Sequence, residues 1–320
     1  MALIGFHASH EQFAPSELLR LVQQAEDAGF NGVMSSDHFH PWSERQAQSG
    51  YAWSWLGGAL QATRLPFGVI SAPGWRYHPA VLAQGAATLS EMYPERLWLA
   101  LGSGEAINEH FTGLAWPDKG ERNARLAECV EIIRALFAGQ TVTHRGRVHA
   151  IECKLYTLPR KTPLLLGAAV SAETAEWVGG WADGLLTVGA QAHAVAEVRD
   201  AFHRGGGEGK PTFVKMDLSW APTDREARAQ AHHQWRAAAI GGDVNWLLRT
   251  PAEFDQASRF VRPDDMDDVV LLSADVQKHV DAIGALIDLG VSNIYLHNVG
   301  RNQAQFVETF GTHVLPQLRR

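Results

Sequence analysis

The sequence predicts a single α/β domain built as a closed (β/α)8 barrel, a TIM barrel, with insertions. Three observations carry this. Eight short runs are apolar almost without interruption, as strands of a sheet covered on both faces must be. Stretches of helical spacing follow the strands, and strand–helix alternation makes a parallel sheet. The 320 residues hold one barrel of about 250 residues with room for additions. A doubly wound open sheet would show the same alternation, and pattern alone separates the two poorly.

Leu3–Phe6 is the first strand. Pro15 and Glu17 open a helix, since a first turn loses nothing by Pro's missing N–H and favours a negative charge. Its stripe is Leu18, Val22 and Ala25, and Gly29 ends it. Gly32–Ser36 and Phe67–Ile70 are the next strands. Pro79 to Met92 is helical, and Arg96–Leu101 is the fourth strand. Arg122–Ala138 is a helix with Leu126, Val130, Ile133 and Phe137 on one face, closed by Gly139. Leu164–Gly167, Gly184–Thr187, Phe213–Trp220 and Asn293–His297 complete the eight, and the last helix carries Phe306, Phe310 and Val314. Two segments break the alternation. About 140–156 reads as short strands. About 222–273 is long and polar and carries His232, His233 and the acidic run Asp264–Asp268. We read both as insertions on one barrel spanning 1–320.

Hydrophobic residues at 46% and charged residues at 20% argue against disorder. A net charge of -7 without a basic stripe argues against nucleic acid as a partner. No run of about 18 apolar residues is present, so no membrane span is expected. Met1 to His10 lacks the basic and apolar regions of a signal peptide, which points to the cytoplasm. Cys129 and Cys153 read as two reduced thiols.

A barrel of this kind places its active site at the carboxyl ends of the strands. There stand Ser36, Asp37, His38, Phe39, His40, Pro41 and Trp42; Ser71, Ala72, Pro73, Gly74 and Trp75; Gly102, Ser103, Gly104, Glu105 and Asn108; Ala168, Ala169 and Ser171; Thr187 and Gly189; and His297 and Asn298. Asp, His and Glu from different strands suit proton transfer. Gly102-Ser103-Gly104 exposes backbone N–H groups to a carbonyl or an anion. Trp42, Trp53, Trp55 and Trp75 offer flat area for a planar ring. With no nucleophile elbow and no strand-end Cys, the site suits an organic cofactor, the protein handling protons and position. Plainer readings stand beside these. Asp37-His38 is also a cap and a surface histidine, the glycine pair a tight turn, and the tryptophans core.

Three motifs fail. Gly102-x-Gly104 is followed by Ile107 where the dinucleotide fingerprint needs Gly. Gly205 to Lys210 has Arg204 and Pro211 where a phosphate loop needs Gly and Ser or Thr, and reads as a flexible turn. His38-x-His40 begins a metal site, but the eighth strand ends in His297-Asn298 with no Asp, so no metal is assigned.

Ala8-Ser-x-Glu-Gln-Phe-Ala-Pro15, Ser36-Asp-His-Phe-x-Pro-Trp42, Arg76-Tyr-x-Pro-Ala80, Leu101-Gly-Ser-Gly-Glu-Ala-x-Asn-Glu109, Ala182-Asp-Gly184 and Leu315-Pro-x-Leu-Arg319 together resemble the bacterial luciferase-like monooxygenase superfamily. Within it they are similar to the branch of deazaflavin (coenzyme F-420) dependent glucose-6-phosphate dehydrogenases. The resemblance implies a barrel binding FMN or the 5-deazaflavin. It implies His38 and Glu105 as the acid/base pair, with Trp42 beside the substrate carbon. It implies Asp37, Ser71, Ala72, Ser103, Gly104 and Asn108 as cofactor contacts, and Ala168, Ala169 and Ser171 as the loop for the cofactor's side chain. It also implies a non-prolyl cis peptide near Ile70–Ser71–Ala72.

The departures bear on the substrate. Members acting on a sugar phosphate clamp it with a threonine, two lysines and an arginine. Thr187 stands at the threonine position, as a substrate contact. Ala190 and Gln256 stand at the lysine positions, and Asp267 or Asp268 near the arginine. Cations lost among acids repel a dianion, so glucose 6-phosphate is not the expected substrate. Pro73-Gly74-Trp75 makes a shorter bulge than the family's, which points to a side group using ordinary flavin and so to FMN before the deazaflavin. The expectation is a homodimeric oxidoreductase performing hydride transfer or monooxygenation on a small-molecule substrate, with NAD(P)H or a flavin reductase as electron donor. The alternatives are a non-catalytic flavin-binding protein and a metal-dependent barrel hydrolase.

Overall fold

The computed structural model describes residues 2–318; Arg319 of the last motif lies outside them. The strands are β1 (Leu3–Ala8), β2 (Val33–Ser35), β3 (Phe67–Ser71), β4 (Leu97–Leu101), β5 (Val142–Arg145), β6 (His149–Cys153), β7 (Leu164–Ala168), β8 (Gly184–Val188), β9 (Thr212–Ser219), β10 (Leu271–Leu272) and β11 (Asn293–Asn298). Eight of them pair in parallel in the ring β1-β2-β3-β4-β7-β8-β9-β11, and the β11–β1 pairing closes it. Closure excludes the open sheet.

Alternation along each strand divides the side chains. Met34, Trp98, Ala100, Leu166, Leu186, Phe213 and Tyr295 fill the barrel. Phe6, Val33, Phe67, Val69, Leu99, Val214 and Leu296 face the helices. Trp98 lies across the axis, donating to the Tyr295 hydroxyl (3.0 Å). It fits because residue 68 is Gly, where a Cβ would sit 1.9 Å from the Trp98 ring. The first helix, Pro15–Asp27, buries Leu18, Leu21, Val22 and Ala25. Helix starts at Lys119, Ala172 and Asp224 are capped by Asp118, Ser171 and Thr223.

The insertions differ in kind. β5 and β6 form an antiparallel hairpin outside the barrel. The second excursion supplies helices Asp224–Trp235 and Pro251–Ala257 with several short turns, and it is pinned to the loops that follow β1 and β2. Gln12 Nε2 donates to Gln234 Oε1 (3.1 Å), Gln46 Nε2 to the Gln234 carbonyl (3.1 Å), and Arg45 pairs with Asp255 (2.5 Å). It therefore roofs one side of the barrel mouth. The glycine-rich Gly205–Gly209 is no loose turn: a Cβ on Gly205 would lie 1.8 Å from the Glu176 carbonyl oxygen.

The expected cis bond is absent: every described peptide bond is trans. The shortened bulge turns through Gly74, at φ 102°, and closes with the Gly74 N–H donating to the Tyr77 carbonyl (2.8 Å). No helix of the described residues is long and apolar enough to cross a membrane.

Candidate active site

His38 stands between two carboxylates from different strand ends. Nδ1 is 3.3 Å from Glu11 Oε1, and Nε2 is 3.7 Å from Glu105 Oε2. Trp42 packs against it at 4.9 Å between ring centroids, and Phe254 of the roof backs Trp42 at 5.3 Å. Glu11 is fully buried. Burial pushes its carboxyl up, but His38, its own backbone N–H, Ser36 and Ser9 outweigh this and hold it below the ordinary range. Glu105 is raised, by burial first and by the Glu11 charge, against the pull of His38. One carboxylate therefore stays ionised at Nδ1 while its counterpart keeps a proton more readily near Nε2. The 3.7 Å separation is too long for a hydrogen bond, so Nε2 is available to the mouth. Glu11 was not singled out in the sequence, although it lies inside the first quoted motif.

Asp37 and Ser71 meet each other rather than an open face. Ser71 Oγ donates to Asp37 Oδ2 (2.6 Å), and the Tyr77 hydroxyl donates to Oδ1 (2.9 Å). Arg76, also missed, is the hub. Its guanidinium contacts Asp37 Oδ1 (3.2 Å), Glu109 Oε1 (2.9 Å) and the Asp37 and Asn108 carbonyls. Asn108 accepts from the Phe39 N–H (2.9 Å) and donates to Glu105 Oε2 (3.1 Å). These contacts join the loop bearing His38 to the loop bearing Glu105. One cation cannot neutralise two buried carboxylates. Burial, with the charges of Asp37 and Glu105, prevails over Arg76 and raises Glu109 to about 7.

The remaining residues separate into two groups. Ile70, Gly102 and Ala168 are half-buried inward positions at the ends of adjacent strands. They make a low wall on which a flat ring can lie; a Cβ on Gly102 would meet only Ala168, at 3.7 Å. Ala72, Ser103 and Gly104 (φ 87°) border it, half-buried. The residues present thus fit a planar cofactor. Ala169, in contrast, is buried among the helices, and Ser171 Oγ is occupied as a helix cap. Thr187 is not brought to the mouth: Leu186 faces the axis, so Thr187 faces the helices, 1% exposed, its Oγ1 unpartnered. Of the tryptophans only Trp42 adjoins His38. Trp55 is core, Trp53 packs beside it, and Trp75 stacks under Arg125 against Trp116. His40 Nδ1 bonds the Ile107 carbonyl (2.8 Å). Among the described residues no three His, Cys, Asp or Glu side chains group to hold a metal.

Across the mouth lies a polar layer unread in the sequence apart from His297. Lys215 and Asp217 of β9, His297 of β11 and His7 of β1 face the axis above the Trp98 layer. Asp217 is fully ionised at neutral pH. Burial pushes it up, but Lys215 and His297 hold it at about 2. Burial pushes His7 and His297 down, so both are neutral there.

A histidine set between two carboxylates, beside a wall that fits a planar cofactor at the mouth of a parallel barrel, is an arrangement suited to a cofactor-dependent barrel oxidoreductase. The chain belongs to the luciferase-like monooxygenase family, whose profile matches residues 1–293. It is 34% identical to an F420-dependent glucose-6-phosphate dehydrogenase of Nakamurella multipartita over 98% of this chain and 96% of that one. It is 32% identical to the enzyme so named from Microbacterium testaceum, over 99% and 97%. Among solved structures it is similar to an F420-dependent secondary alcohol dehydrogenase in complex with an F420-acetone adduct (TM-score 0.91, 28% identity, 100% of this chain and 99% of that one). It shares the fold of the F420-dependent tetrahydromethanopterin reductase of Methanopyrus kandleri (TM-score 0.79, 19% identity, 99% of each chain). It is an oxidoreductase of this family.

Proposed function

We propose that the chain is a 5-deazaflavin-dependent dehydrogenase acting on a small unphosphorylated alcohol and its carbonyl product. The observation that carries this is His38, set between Glu11 and Glu105 and flanked by Trp42. Nε2 of His38 takes the hydroxyl proton as the alcohol carbon is oxidised, and Glu11 at Nδ1 steadies the cation that results. When bound, a deazaflavin would supply the hydride acceptor. Ile70, Gly102 and Ala168 would hold it, with the backbone of Ser103 and Gly104 at its border. Trp42, Phe254, Ile107 and Ala237 form one apolar cluster beside His38 and keep water from the proton transfer.

Two comparisons support the deazaflavin over FMN: the curated relatives carry that cofactor's name across nearly the whole chain, as does the alcohol dehydrogenase. Trp75 of the shortened bulge stacks against Arg125 and Trp116 and lies beside Gly104 at the border of the wall. Support against a sugar phosphate lies in the positions themselves. Ala190 packs on the core, Gln256 is exposed, and Asp267 pairs with Arg228 at the surface (2.7 Å). We also read the enzyme as a cytoplasmic homodimer; light scattering in solution tests the assembly.

The test is a titration of the protein with coenzyme F420 and with FMN, followed by turnover of propan-2-ol and glucose 6-phosphate. The expected result is at least tenfold tighter F420 binding, about 1.4 kcal/mol, with propan-2-ol oxidised and the sugar phosphate not. Tighter FMN binding with oxygen consumption makes the enzyme a monooxygenase instead. Failure of both cofactors to bind below about 100 μM removes the proposal.

A further inference from the structure

The proton chemistry at His38 leaves the charges across the mouth unused. On β9, Lys215 and Asp217 alternate with Val214, Met216 and Leu218; the apolar three face the helices and the charged two face the axis. Both charged side chains remain 13% exposed. The layer beneath, with Trp98, Phe213 and Tyr295, is sealed, so their open side is the mouth. Lys215 Nζ donates to Asp217 Oδ1 (2.6 Å), and His297 Nδ1 approaches the same oxygen (2.7 Å). Among the described residues Asp217 Oδ2 receives no hydrogen bond, and Lys215 donates to Asp217 alone. A free acceptor and free donors therefore sit side by side. Trp235 of the roof closes over them, 5.1 Å from Lys215 and 4.7 Å from the His297 ring.

The order of strands says which molecule meets this pair. In the eight-membered ring β9 lies opposite β3, and β11 lies opposite β4. The low wall for the cofactor is on β3, β4 and β7. The ring's free face, where a substrate must sit to exchange hydride, therefore looks toward β9 and β11.

We propose that Lys215 and Asp217 form a substrate subsite that hydrogen-bonds an uncharged hydroxyl group of the substrate away from the reacting carbon. A hydroxyl both donates and accepts, as this pair requires. The pair sums to zero charge, so an anion meets Asp217 and a cation meets Lys215, and neither gains. Stability does not explain the pair, since apolar side chains of equal volume generally serve a buried site as well. The inference rests on the dehydrogenase reading and names its substrate class: hydroxylated secondary alcohols such as diols and polyols.

The experiment uses the F420-loaded enzyme, with propan-2-ol, butane-1,3-diol and pentane-1,4-diol as probes, binding followed by saturation-transfer NMR and turnover by deazaflavin absorbance. Wild type should bind at least one diol tenfold or more tighter than propan-2-ol. Lys215→Met and Asp217→Asn should each reduce that ratio below threefold. If a single variant does not fold, Lys215→Met combined with Asp217→Asn leaves no lone charge and is expected to show the same loss. A wild type without diol preference overturns the subsite, and so does a variant that keeps it. Tenfold weaker F420 binding in the variants, with the diol ratio intact, also overturns it and moves the pair to the cofactor. Diol preference in binding without turnover of any alcohol leaves the subsite standing and removes the dehydrogenase reading.

Discussion

His38 works through what stands on either side of it. Replacing it with Ala should lower kcat by about 10²–10⁴-fold, the usual worth of a positioned acid or base, while F420 affinity stays within threefold, because the wall proposed for the ring is on other strands. Steady-state kinetics beside a fluorescence titration checks both. Glu11→Gln should cost less than His38→Ala and alter the pH profile of kcat/KM, since Gln leaves a neutral group at Nδ1. Glu109 carries a different pH dependence. Its folded-state pKa, about 7, lies above its ordinary value, so the unfolded chain releases this proton first and the stability it contributes at low pH is lost as pH rises from about 4.5 to 7. The melting-temperature difference between wild type and Glu109→Gln should therefore shrink from pH 5 to pH 7.5. A difference that widens would contradict the burial argument.

Strands and helices obey simpler rules, which is why they were legible. All eight barrel strands lie within one or two residues of their sequence positions, because a sheet covered on both faces demands apolar runs and nothing else does so eight times. The tryptophans were harder to read. Trp53 and Trp55 fall in helix Ala52–Ala62, whose apolar face serves the core, and composition cannot separate core aromatics from a cofactor box. Lys215 and Asp217 left a usable signal: two charges at alternate positions of the otherwise apolar run Phe213–Leu218. Gly68 shows how tightly these elements are fitted. Gly68→Ala places a methyl where the Trp98 ring lies and should cost about 1–3 kcal/mol as overpacking, read as a lowered urea midpoint at unchanged slope.

At the scale of the molecule, the closed ring places its openings at the two ends, and the roof over one side leaves the ring-sized wall facing the mouth. A cofactor that binds only the folded chain should raise its stability by about 2.7 kcal/mol at a hundredfold excess over Kd, a shift of several degrees in a melting scan. Ala168→Trp, filling the wall, should abolish that shift while leaving the unliganded melting temperature within a few degrees.

Repeated apolar runs, the helix start at Pro15, and titratable residues beyond strand ends were determined by the sequence alone, because each depends on neighbours a few positions away; the helix read from Arg122 begins at Lys119, behind its Asp118 cap. Pairings were decided only by the tertiary structure. His38 meets Glu11 and Glu105, Asp37 turns to Ser71 and Arg76, Thr187 faces the helices, and Lys215 faces the mouth. Each depends on which strands close the ring and on which side of a strand a residue falls, and a shift of one position reverses that side.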